Sequence, residues 1–295
     1  MAISYLSGGR LQGSTTDLAY MGAFSTGRGV WCGGIDSGGY YNTMTYITIS
    51  TTGNSTDFGD LSRTSYSGSG CHSDTRGVIA VATNGSGSVN TLDYITIATP
   101  ANSADFGDMT TTRRAAANGN AGNATYGLFM GGNDGSNTAS IDYITIASTG
   151  NGTDFGDLRN AQTGSGGAVS SNTRAMVGGG SIGGGRTNII DYVTIGTSGS
   201  GTDFGDLTRT KQGVGGCSNT VRGIFMAGYA DGSPNDESTD IDYVTIATTG
   251  NAADFGDLTV KGEGVAAVSD NTRGVRAGGY NDGSGESVMR TMDFI

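Results

Sequence analysis

Short runs of alternating apolar and polar residues recur along the chain, separated by glycine, serine, threonine and asparagine. The clearest copy spans residues 242–246, Asp-Tyr-Val-Thr-Ile, and continues after a few small polar residues into 253–258, Ala-Asp-Phe-Gly-Asp-Leu. Alternation with a period of two predicts a half-buried β-strand, and short runs bounded by turn residues predict antiparallel hairpins. The pattern therefore predicts an all-β protein built from many short strands.

This two-part sequence motif repeats along the chain at nearly constant spacing. Its aromatic residues lie 48, 49, 49, 51 and 51 residues apart, and they are Tyr46, Tyr94, Tyr143, Tyr192, Tyr243 and Phe294. A second landmark falls between them, at Arg28, Arg76, Tyr126, Arg174, Arg222 and Arg273. Six units of about 50 residues, each with four strand-like pieces, predict a six-bladed β-propeller with four antiparallel strands per blade.

The blades are expected at residues 15–62, 63–110, 111–159, 160–208, 209–259 and 260–295, the last together with residues 1–8. The first piece of each unit is rich in small residues, which suits the crowded centre of a ring. The last unit stops within its third piece, while residues 2–6 alternate like a strand. We therefore predict that an N-terminal strand completes the last blade, which would remove exposed strand edges.

Composition narrows the classes of partner. The chain has 55 Gly and 2 Pro, and its net charge of −11 disfavours a phosphate backbone, so we expect no nucleic-acid partner. Three separated cysteines, Cys32, Cys71 and Cys217, predict buried free thiols. The N-terminus lacks the pattern of a signal peptide, and no apolar stretch is long enough to span a membrane, so we expect no membrane insertion and assembly in a cytoplasm.

The repeat resembles the kelch family. A Gly-Gly pair follows the second strand at Gly33-Gly34, Gly131-Gly132, Gly178-Gly179 and Gly278-Gly279, and is reduced to Ala227-Gly228 in the fifth unit. The tryptophan position of the family looks like Phe58, Phe106, Phe155, Phe204 and Phe255. The resemblance covers the whole chain and implies a kelch-like propeller.

The amino-acid sequence of the repeat is also similar to that of virion structural proteins of marine tailed phages, including cyanobacterial phages. This resemblance implies a non-enzymatic virion protein that acts as a capsid or tail decoration or as an adhesion module. Its expected partners are other virion proteins, further copies of itself, or a host-surface glycan. A stand-alone sugar-binding propeller is the alternative, and a glycan-active enzyme is a third class. We expect no cofactor and no metal.

The Asp-Phe-Gly-Asp phrase also occurs in the magnesium site of protein kinases. Here it occurs five times and without the other kinase motifs, so we interpret it as structural. The phenylalanine should pack between blades, the glycine should permit a bulge, and the aspartates should bond to nearby backbone N–H groups. Pairing of Asp257 with Arg222 or Arg273 is a further hypothesis.

The connections between second and third strands vary most, and variable loops on a repeated scaffold often carry binding. The candidate ligand or partner residues in them are Tyr40, Tyr41, Asp134, Tyr229, Asp231, Asp236, Tyr280 and Asp282. Their mixture of aromatic and acidic side chains suits either a sugar or a protein partner. Calcium ligation is open, although no EF-hand loop is present. His72, the single histidine, lacks the sequence context of a catalytic triad.

Overall fold

The computed structural model describes residues 19–21 (backbone only), 27–36, 39–83, 86–114, 116–163, 166–231, 237–281, 289 and 291–295. Every helix or strand in these ranges is a β-strand, which confirms the prediction of an all-β protein. Within the same ranges, no helix has the length and apolar character needed to cross a bilayer. Residues 2–6, assigned above to a closing strand, lie outside the described residues.

The strands fall into six consecutive units. The first two units contain β1 (Ala19–Met21), β2 (Arg28–Asp36), β3 (Gly39–Thr48), β4 (Thr56–Asp60), β5 (Ser69–His72), β6 (Arg76–Ala80), β7 (Thr91–Thr96) and β8 (Ala104–Asp108). The third and fourth contain β9 (Asn118–Gly119), β10 (Tyr126–Asn133), β11 (Asn137–Thr145), β12 (Thr153–Thr163), β13 (Gly167–Ser170), β14 (Arg174–Gly178), β15 (Ser181–Ile182), β16 (Gly185–Thr194) and β17 (Thr202–Gln212). The last two contain β18 (Gly215–Ser218), β19 (Arg222–Met226), β20 (Tyr229–Ala230), β21 (Ser238–Thr245), β22 (Ala253–Gly262), β23 (Ala266–Ser269), β24 (Gly274–Ala277) and β25 (Met292–Phe294).

Most units form an antiparallel sheet in which neighbouring strands pair in order. The first, second and fifth units have the orders β1-β2-β3-β4, β5-β6-β7-β8 and β18-β19-β21-β22, and the sixth has β23-β24-β25. The third and fourth units belong to one ten-stranded sheet, because the short β15 pairs with the extended end of β12. The short β20 of the fifth unit joins the same sheet by pairing with the extended end of β17. The repeat seen in the sequence is thus a repeat of antiparallel hairpins.

A bulge interrupts the pairing of the third and fourth strands in the first five units. In the first unit Met44 pairs with Gly59 and Thr45 pairs with Asp57, so that Phe58 is the extra residue. Gly59 has a φ of +133°, and a Cβ there would lie 2.5 Å from the backbone of Ala101 in the next unit. The glycine of the Asp-Phe-Gly phrase therefore permits both the bulge and the close approach of a neighbouring turn, as predicted.

Buried aspartates of the third strands link consecutive units. Asp242 is 0% exposed and accepts hydrogen bonds from the backbone N–H of Thr208 (3.4 Å) and its hydroxyl (2.6 Å), both in the preceding unit. It also forms a salt bridge of 2.9 Å with the buried Lys211. Buried salt bridges also join Arg113 to Asp142 and, within the sixth unit, Arg276 to Asp293. In the second to fifth units, the aspartate before the tyrosine is thus the most deeply buried acid.

The arginines of the second strands do not form the hypothesised pairs with Asp257. Arg222 and Arg273 lie over the rings of Tyr243 and Phe294, with the guanidinium carbon 5.0 and 4.9 Å from the ring centroids. Such cation–π contacts stabilise the charge against an aromatic face. Four of the arginines, Arg28, Arg76, Arg174 and Arg273, also donate to carbonyl groups of another unit, as when Arg28 Nη1 donates to Ile97 O at 2.8 Å.

The first and last units contact each other in the same manner as consecutive units. Arg273 Nη1 donates to Ile49 O at 3.0 Å, which repeats the bond from Arg28 to Ile97. Along the first strands, β1 contacts β5, β5 contacts β9, β9 contacts β13, β13 contacts β18, β18 contacts β23, and β23 contacts β1. One hydrophobic cluster combines Trp31 and Ile47 of the first unit with Val268 and Val275 of the sixth.

Small residues of the first strands permit close contact near the centre. A Cβ added to Gly216 would lie 2.4 Å from Ala168 O in the neighbouring unit. The pair after the second strand has positive φ at Gly33-Gly34, Gly131-Gly132 and Gly278-Gly279. In the fourth unit, however, this backbone conformation occurs at Gly179-Gly180, one residue later than the sequence pattern placed it. In the fifth unit Ala227 adopts it with a φ of 59°.

Candidate functional site

Antiparallel strands place the connections of each unit at two opposite ends of its sheet. The turns between first and second strands lie at the same end as the turns between third and fourth strands, and the connections between second and third strands lie at the other. The variable connections chosen from the sequence belong to the second end. A polar pocket lies at the first.

The pocket has a volume of about 320 Å³ and is formed by the first turns of five units. Its lining includes the residues at the ends of the first strands and in the turns that follow: His72, Ser73, Asp74, Asn120, Asn123, Ser170, Ser171, Asn172, Ser218, Asn219, Thr220, Ser269, Asp270 and Asn271. These side chains offer hydroxyl, amide, imidazole and carboxylate groups, and none of the lining residues is lysine or arginine. The repeat thus brings equivalent polar residues together at one end of the first strands.

Each of these turns is held by the side chain of its first residue. Asn219 Oδ1 accepts hydrogen bonds from the N–H groups of Val221 (2.9 Å) and Arg222 (2.8 Å). Asp270 accepts from Thr272 and Arg273 in the same way, and these bonds lower its pKa against the opposing effect of burial. Asx and Ser/Thr turns of this kind fix the backbone locally. The pocket wall is therefore ordered by the turns themselves.

Serine hydroxyls join the first strands below the turns. Ser218 Oγ donates to Ser170 O at 2.9 Å and accepts from Ser170 N at 3.0 Å. Ser269 Oγ makes the same pair of bonds with Ser218, at 2.8 and 3.2 Å. Ser170 and Ser269 are buried, with 5% and 6% of their surface exposed. Their hydroxyls are used within the wall, so they define the shape of the pocket.

Two asparagines of the third unit, Asn118 and Asn120, bond to other units, and Asn120 also lines the pocket. Asn118 Nδ2 donates to Val265 O of the sixth unit at 2.7 Å, and Asn120 Nδ2 donates to Ser170 Oγ at 3.2 Å. The Oδ1 atoms of both residues are buried and find no hydrogen-bond donor within the described part of the chain. A buried acceptor without a donor is costly, so a water or ligand hydroxyl group that reached Asn120 Oδ1 would be stabilised there.

His72 brings the only imidazole of the chain into the pocket wall. Its Nδ1 lies 3.3 Å from Ser73 O. Burial lowers the pKa of His72 from 6.5 to about 4, although a bond to Ser73 and the charge of Asp74 act in the opposite direction. The imidazole is therefore neutral near pH 7 and adds no positive charge to the pocket.

We expect the low pKa of His72 to make stability depend on pH. The unfolded chain takes up a proton between about pH 6.5 and 4 that the folded chain does not, so the free energy of unfolding should fall as the pH decreases through this window. The expected loss is about 2 kcal/mol, less than the full shift implies because the ring keeps some exposure. Urea unfolding at pH 7 and 4.5 should show a smaller loss for His72→Gln than for the wild type; equal losses would contradict this.

The candidate tyrosines chosen from the sequence lie largely in strands. Tyr40 and Tyr41 belong to β3, not to a loop. Tyr40 is 38% exposed and stacks on Tyr66 with ring centroids 5.0 Å apart, and Tyr41 donates its hydroxyl to Asp36 at 2.8 Å. Arg114 donates to the Tyr66 hydroxyl at 3.2 Å. Tyr40 and Tyr66 therefore form an aromatic pair at the second end.

Tyr229 and Asp231 are engaged within the protein. Tyr229 lies in β20, with the guanidinium carbon of Arg186 3.8 Å from its ring centroid. Asp231 pairs with Arg186 and accepts a hydrogen bond from Thr210 at 2.7 Å, and these bonds lower its pKa. These contacts account for both residues without a ligand.

The remaining candidates are not brought together. Asp134 accepts hydrogen bonds from Ser136 in an exposed turn, and Tyr280 forms an isolated bridge with Glu263. Asp236 and Asp282 lie outside the described residues. Where the chain is described, no group of three or more His, Cys, Asp or Glu side chains is placed to hold a metal ion.

Four of the five repeated phenylalanines and all three cysteines are buried. Phe58, Phe106, Phe155 and Phe204 are 2–5% exposed, whereas Phe255 is 43% exposed. The three cysteines are buried and free, as predicted, and burial raises the pKa of each thiol. These thiols are therefore unreactive at neutral pH.

The polar pocket was missed because its residues look like ordinary turn residues. The signal was nevertheless present, since a Ser, Asn or Asp occurs three residues before the second-strand landmark in all six units. These turns form a shared wall only because the units pack against one another. No protein-family model matches the chain, and a search of curated proteins finds no match.

Proposed function

We propose that the six units form a closed, six-bladed kelch-like β-propeller occupying residues 1–295. The main support is the bond from Arg273 to Ile49, which joins the last unit to the first as Arg28 joins the first to the second. The cluster around Trp31 and Val268 supports the same arrangement, because consecutive blades of a propeller bury an apolar layer between them. The pocket of the first turns then lies at one end of the central axis.

The N-terminal residues supply the fourth strand of the last blade in this proposal. Within the described part of the chain β25 pairs only with β24, so its other edge is available for a strand. A strand pairing there would satisfy the backbone groups of that edge. Residues 2–6 have the alternation that such a strand requires.

Deleting residues 1–7 should therefore destabilise the whole protein. The sixth blade would lose one strand and the apolar residues Ile3 and Leu6, and we expect the melting temperature to fall by at least about 5 °C, which corresponds to a few kcal/mol in a chain of this size. Thermal unfolding monitored by circular dichroism measures this. An Ile3→Ser, Leu6→Ser double variant should reproduce most of the loss, and an unchanged melting temperature in the truncation would contradict closure.

For function, the proposal is a non-enzymatic virion protein that binds a host-surface glycan in the polar pocket. The observation that carries it is a pocket lined by neutral hydroxyl and amide groups with two carboxylates and no lysine or arginine. Such a lining favours an uncharged, hydroxyl-rich ligand over a phosphate or carboxylate ligand. The likeness of the repeat to phage virion proteins supports the setting, and the aromatic pair of Tyr40 and Tyr66 at the other end offers a contact for a second virion protein.

A glycan array tests this proposal. We expect selective binding of a neutral glycan, weakened at least tenfold by Asn120→Ala or His72→Ala and retained by Tyr40→Ala at the opposite end. Binding that is lost with Tyr40→Ala and kept by the pocket variants would instead place the glycan site at the end of the sheets that carries Tyr40. Absence of glycan binding would contradict the ligand class.

Two further measurements distinguish the proposed virion protein from a stand-alone lectin and from a glycan-active enzyme. Mass spectrometry of purified virions should detect the chain if it is a structural component, whereas a lectin would be found only as a free protein. Incubation with the bound glycan should leave it intact. Cleavage that is lost with Asp74→Asn or Asp270→Asn would instead identify an enzyme.

A further inference from the structure

The first strand of the third unit contains a bulge that its counterpart in the fourth unit lacks. In the fourth unit the first and second strands pair one residue to one residue. In the third unit, Ala117 N donates to Met130 O, and Leu128 N donates to Ala121 O. Four steps along the first strand therefore face two steps along the second. The two extra residues belong to the segment 118–120, Asn-Gly-Asn, which leaves the sheet as a bulge.

This bulge contains β9 and lies against the first strands of all five other units. β9 contacts β5 and β13 of the neighbouring units, and it also contacts β1, β18 and β23 of the other three. It pairs with β13 in parallel, and Asn120 forms a parallel bridge with Gly70 of the second unit. A two-residue strand that reaches every other first strand lies at the centre of those strands. In the proposed propeller, the bulge therefore fills the central axis.

Hydrogen bonds and close packing hold the bulge at this position. Asn118 N donates to Gly166 O and Asn118 Nδ2 donates to Val265 O, both at 2.7 Å, which ties the bulge to the fourth and sixth units. Gly119 has a φ of +147°, and a Cβ there would overlap the carbonyl group of Ala168. Glycine permits both this backbone conformation and this close approach. The bulge is thus fixed by two other units.

The bulge forms the floor of the polar pocket. Asn120 lines the pocket, and the first strand runs toward it, so Asn118 and Gly119 lie deeper than Asn120. The first turns of the second to sixth units surround this floor and enclose about 320 Å³. The corresponding turn of the first unit lies outside the described residues. The pocket is therefore blind at its inner end, because β9 occupies the space into which it would otherwise continue.

We propose that the pocket recognises the free, non-reducing end of a neutral glycan and rejects the same sugar inside a chain. This inference rests on the glycan-binding function proposed above, and the closed floor is the observation that extends it. A sugar inside a chain continues on both sides, so it requires an open groove or a second opening, whereas an end residue enters a blind pocket with its linkage pointing outwards. A surface glycan is anchored through its reducing end, so its non-reducing end is the one that can enter.

Asn120 is the specificity-determining residue in this proposal. Its Nδ2 donates to Ser170 Oγ at 3.2 Å, while its buried Oδ1 finds no donor among the described residues. A hydroxyl group of the end residue that reaches the floor donates to this oxygen. An O-methyl group at the same position has no hydrogen to donate and needs space that the floor does not offer. The floor therefore selects for one unmodified hydroxyl group.

A printed array of neutral oligosaccharides tests the inference with the full chain. Each sugar is presented once at the free end and once inside a longer chain. We expect binding to the terminal form to be at least about tenfold tighter than binding to the internal form. This comparison uses only the wild-type chain, so it decides the question even if a pocket variant is unstable.

A second set of glycans tests the role of the floor. For the sugar that binds best, each hydroxyl group of the end residue is methylated in turn. One of these methyl groups should weaken binding to the wild type at least about tenfold. Asn120→Ala should bind the methylated and unmethylated forms with similar affinity, because its shorter side chain leaves room for the methyl group. Ser136→Ala, in an exposed turn at the other end of the same unit, is the control that should keep the wild-type preference.

Two results would overturn this inference and leave the proposed function intact. They are equal binding to terminal and internal sugars, and discrimination against the methyl group that Asn120→Ala leaves unchanged. The absence of binding to every glycan on the array would instead contradict the proposed function, and this inference with it. The two failures are therefore distinguishable in one experiment.

Discussion

Replacing Gly205 by alanine should lower the free energy of unfolding by about 4 kcal/mol, whereas the same change at Gly256 should lower it by about 2 kcal/mol. Both glycines occupy the bulge of the fourth strand, with φ values of +146° and +137°, so both variants suffer backbone strain. Only at Gly205 does the new methyl group also meet a neighbouring turn, 2.4 Å from Gly250 O. The difference of about 2 kcal/mol isolates the packing of one unit on the next.

Urea unfolding of the two variants measures this difference. Circular dichroism of the folded proteins serves as the control for an intact sheet structure. Equal losses at the two positions would mean that the turn at Gly250 moves away from the new methyl group at little cost.

Replacing Asp242 by asparagine should destabilise the protein by about 3 to 5 kcal/mol. Lys211 is 0% exposed and pairs with Asp242 at 2.9 Å, so the variant leaves a buried positive charge without its partner. The loss also weakens the link to the preceding unit, because Thr208 donates its hydroxyl to the same carboxylate at 2.6 Å. This is among the largest effects expected of a single polar substitution in the chain.

Asp93 provides the matched control. It is equally buried and accepts bonds from Ser62 and Ser103 at 2.6–2.8 Å, but no salt bridge to it is formed in the described structure. Asp93→Asn should therefore cost only about 1 to 2 kcal/mol. Combining Lys211→Met with Asp242→Asn should restore at least about 2 kcal/mol, since the unpaired charge is removed. A double variant no more stable than Asp242→Asn alone would show that the hydrogen bonds matter more than the charge pair.

Much of the fold was predictable because it depends on local pattern. Alternation around Tyr243 marks a strand whose apolar side chains enter the core, and the Phe-Gly phrase marks a bulge that only glycine permits at that φ. Both are properties of a few consecutive residues. The burial of Cys32, Cys71 and Cys217 was predictable for the same reason, since each lies in or beside a strand of small and apolar residues.

The candidate site was less predictable because it depends on contacts between units. Tyr229 and Asp231 look like binding residues in the sequence, yet Arg186 of the neighbouring unit satisfies both. His72 looks isolated, yet it shares a pocket wall with turn residues about 50, 100, 150 and 200 positions later. No local pattern reports which units become neighbours or what charge each one presents.

The sequence by itself determined the strands, the six-fold repeat and the residues that each unit buries, because these follow from side-chain alternation and from glycine at positive φ. Tertiary structure alone decided the roles of the charged groups. It brought the guanidinium of Arg273 to the carbonyl oxygen of Ile49 and paired Lys211 with Asp242. It also left Phe255 exposed, whereas the four equivalent phenylalanines are buried. The physical reason is that hydrogen bonds and ion pairs act over a few ångströms in space, and residues more than 200 positions apart become neighbours only when the units pack together.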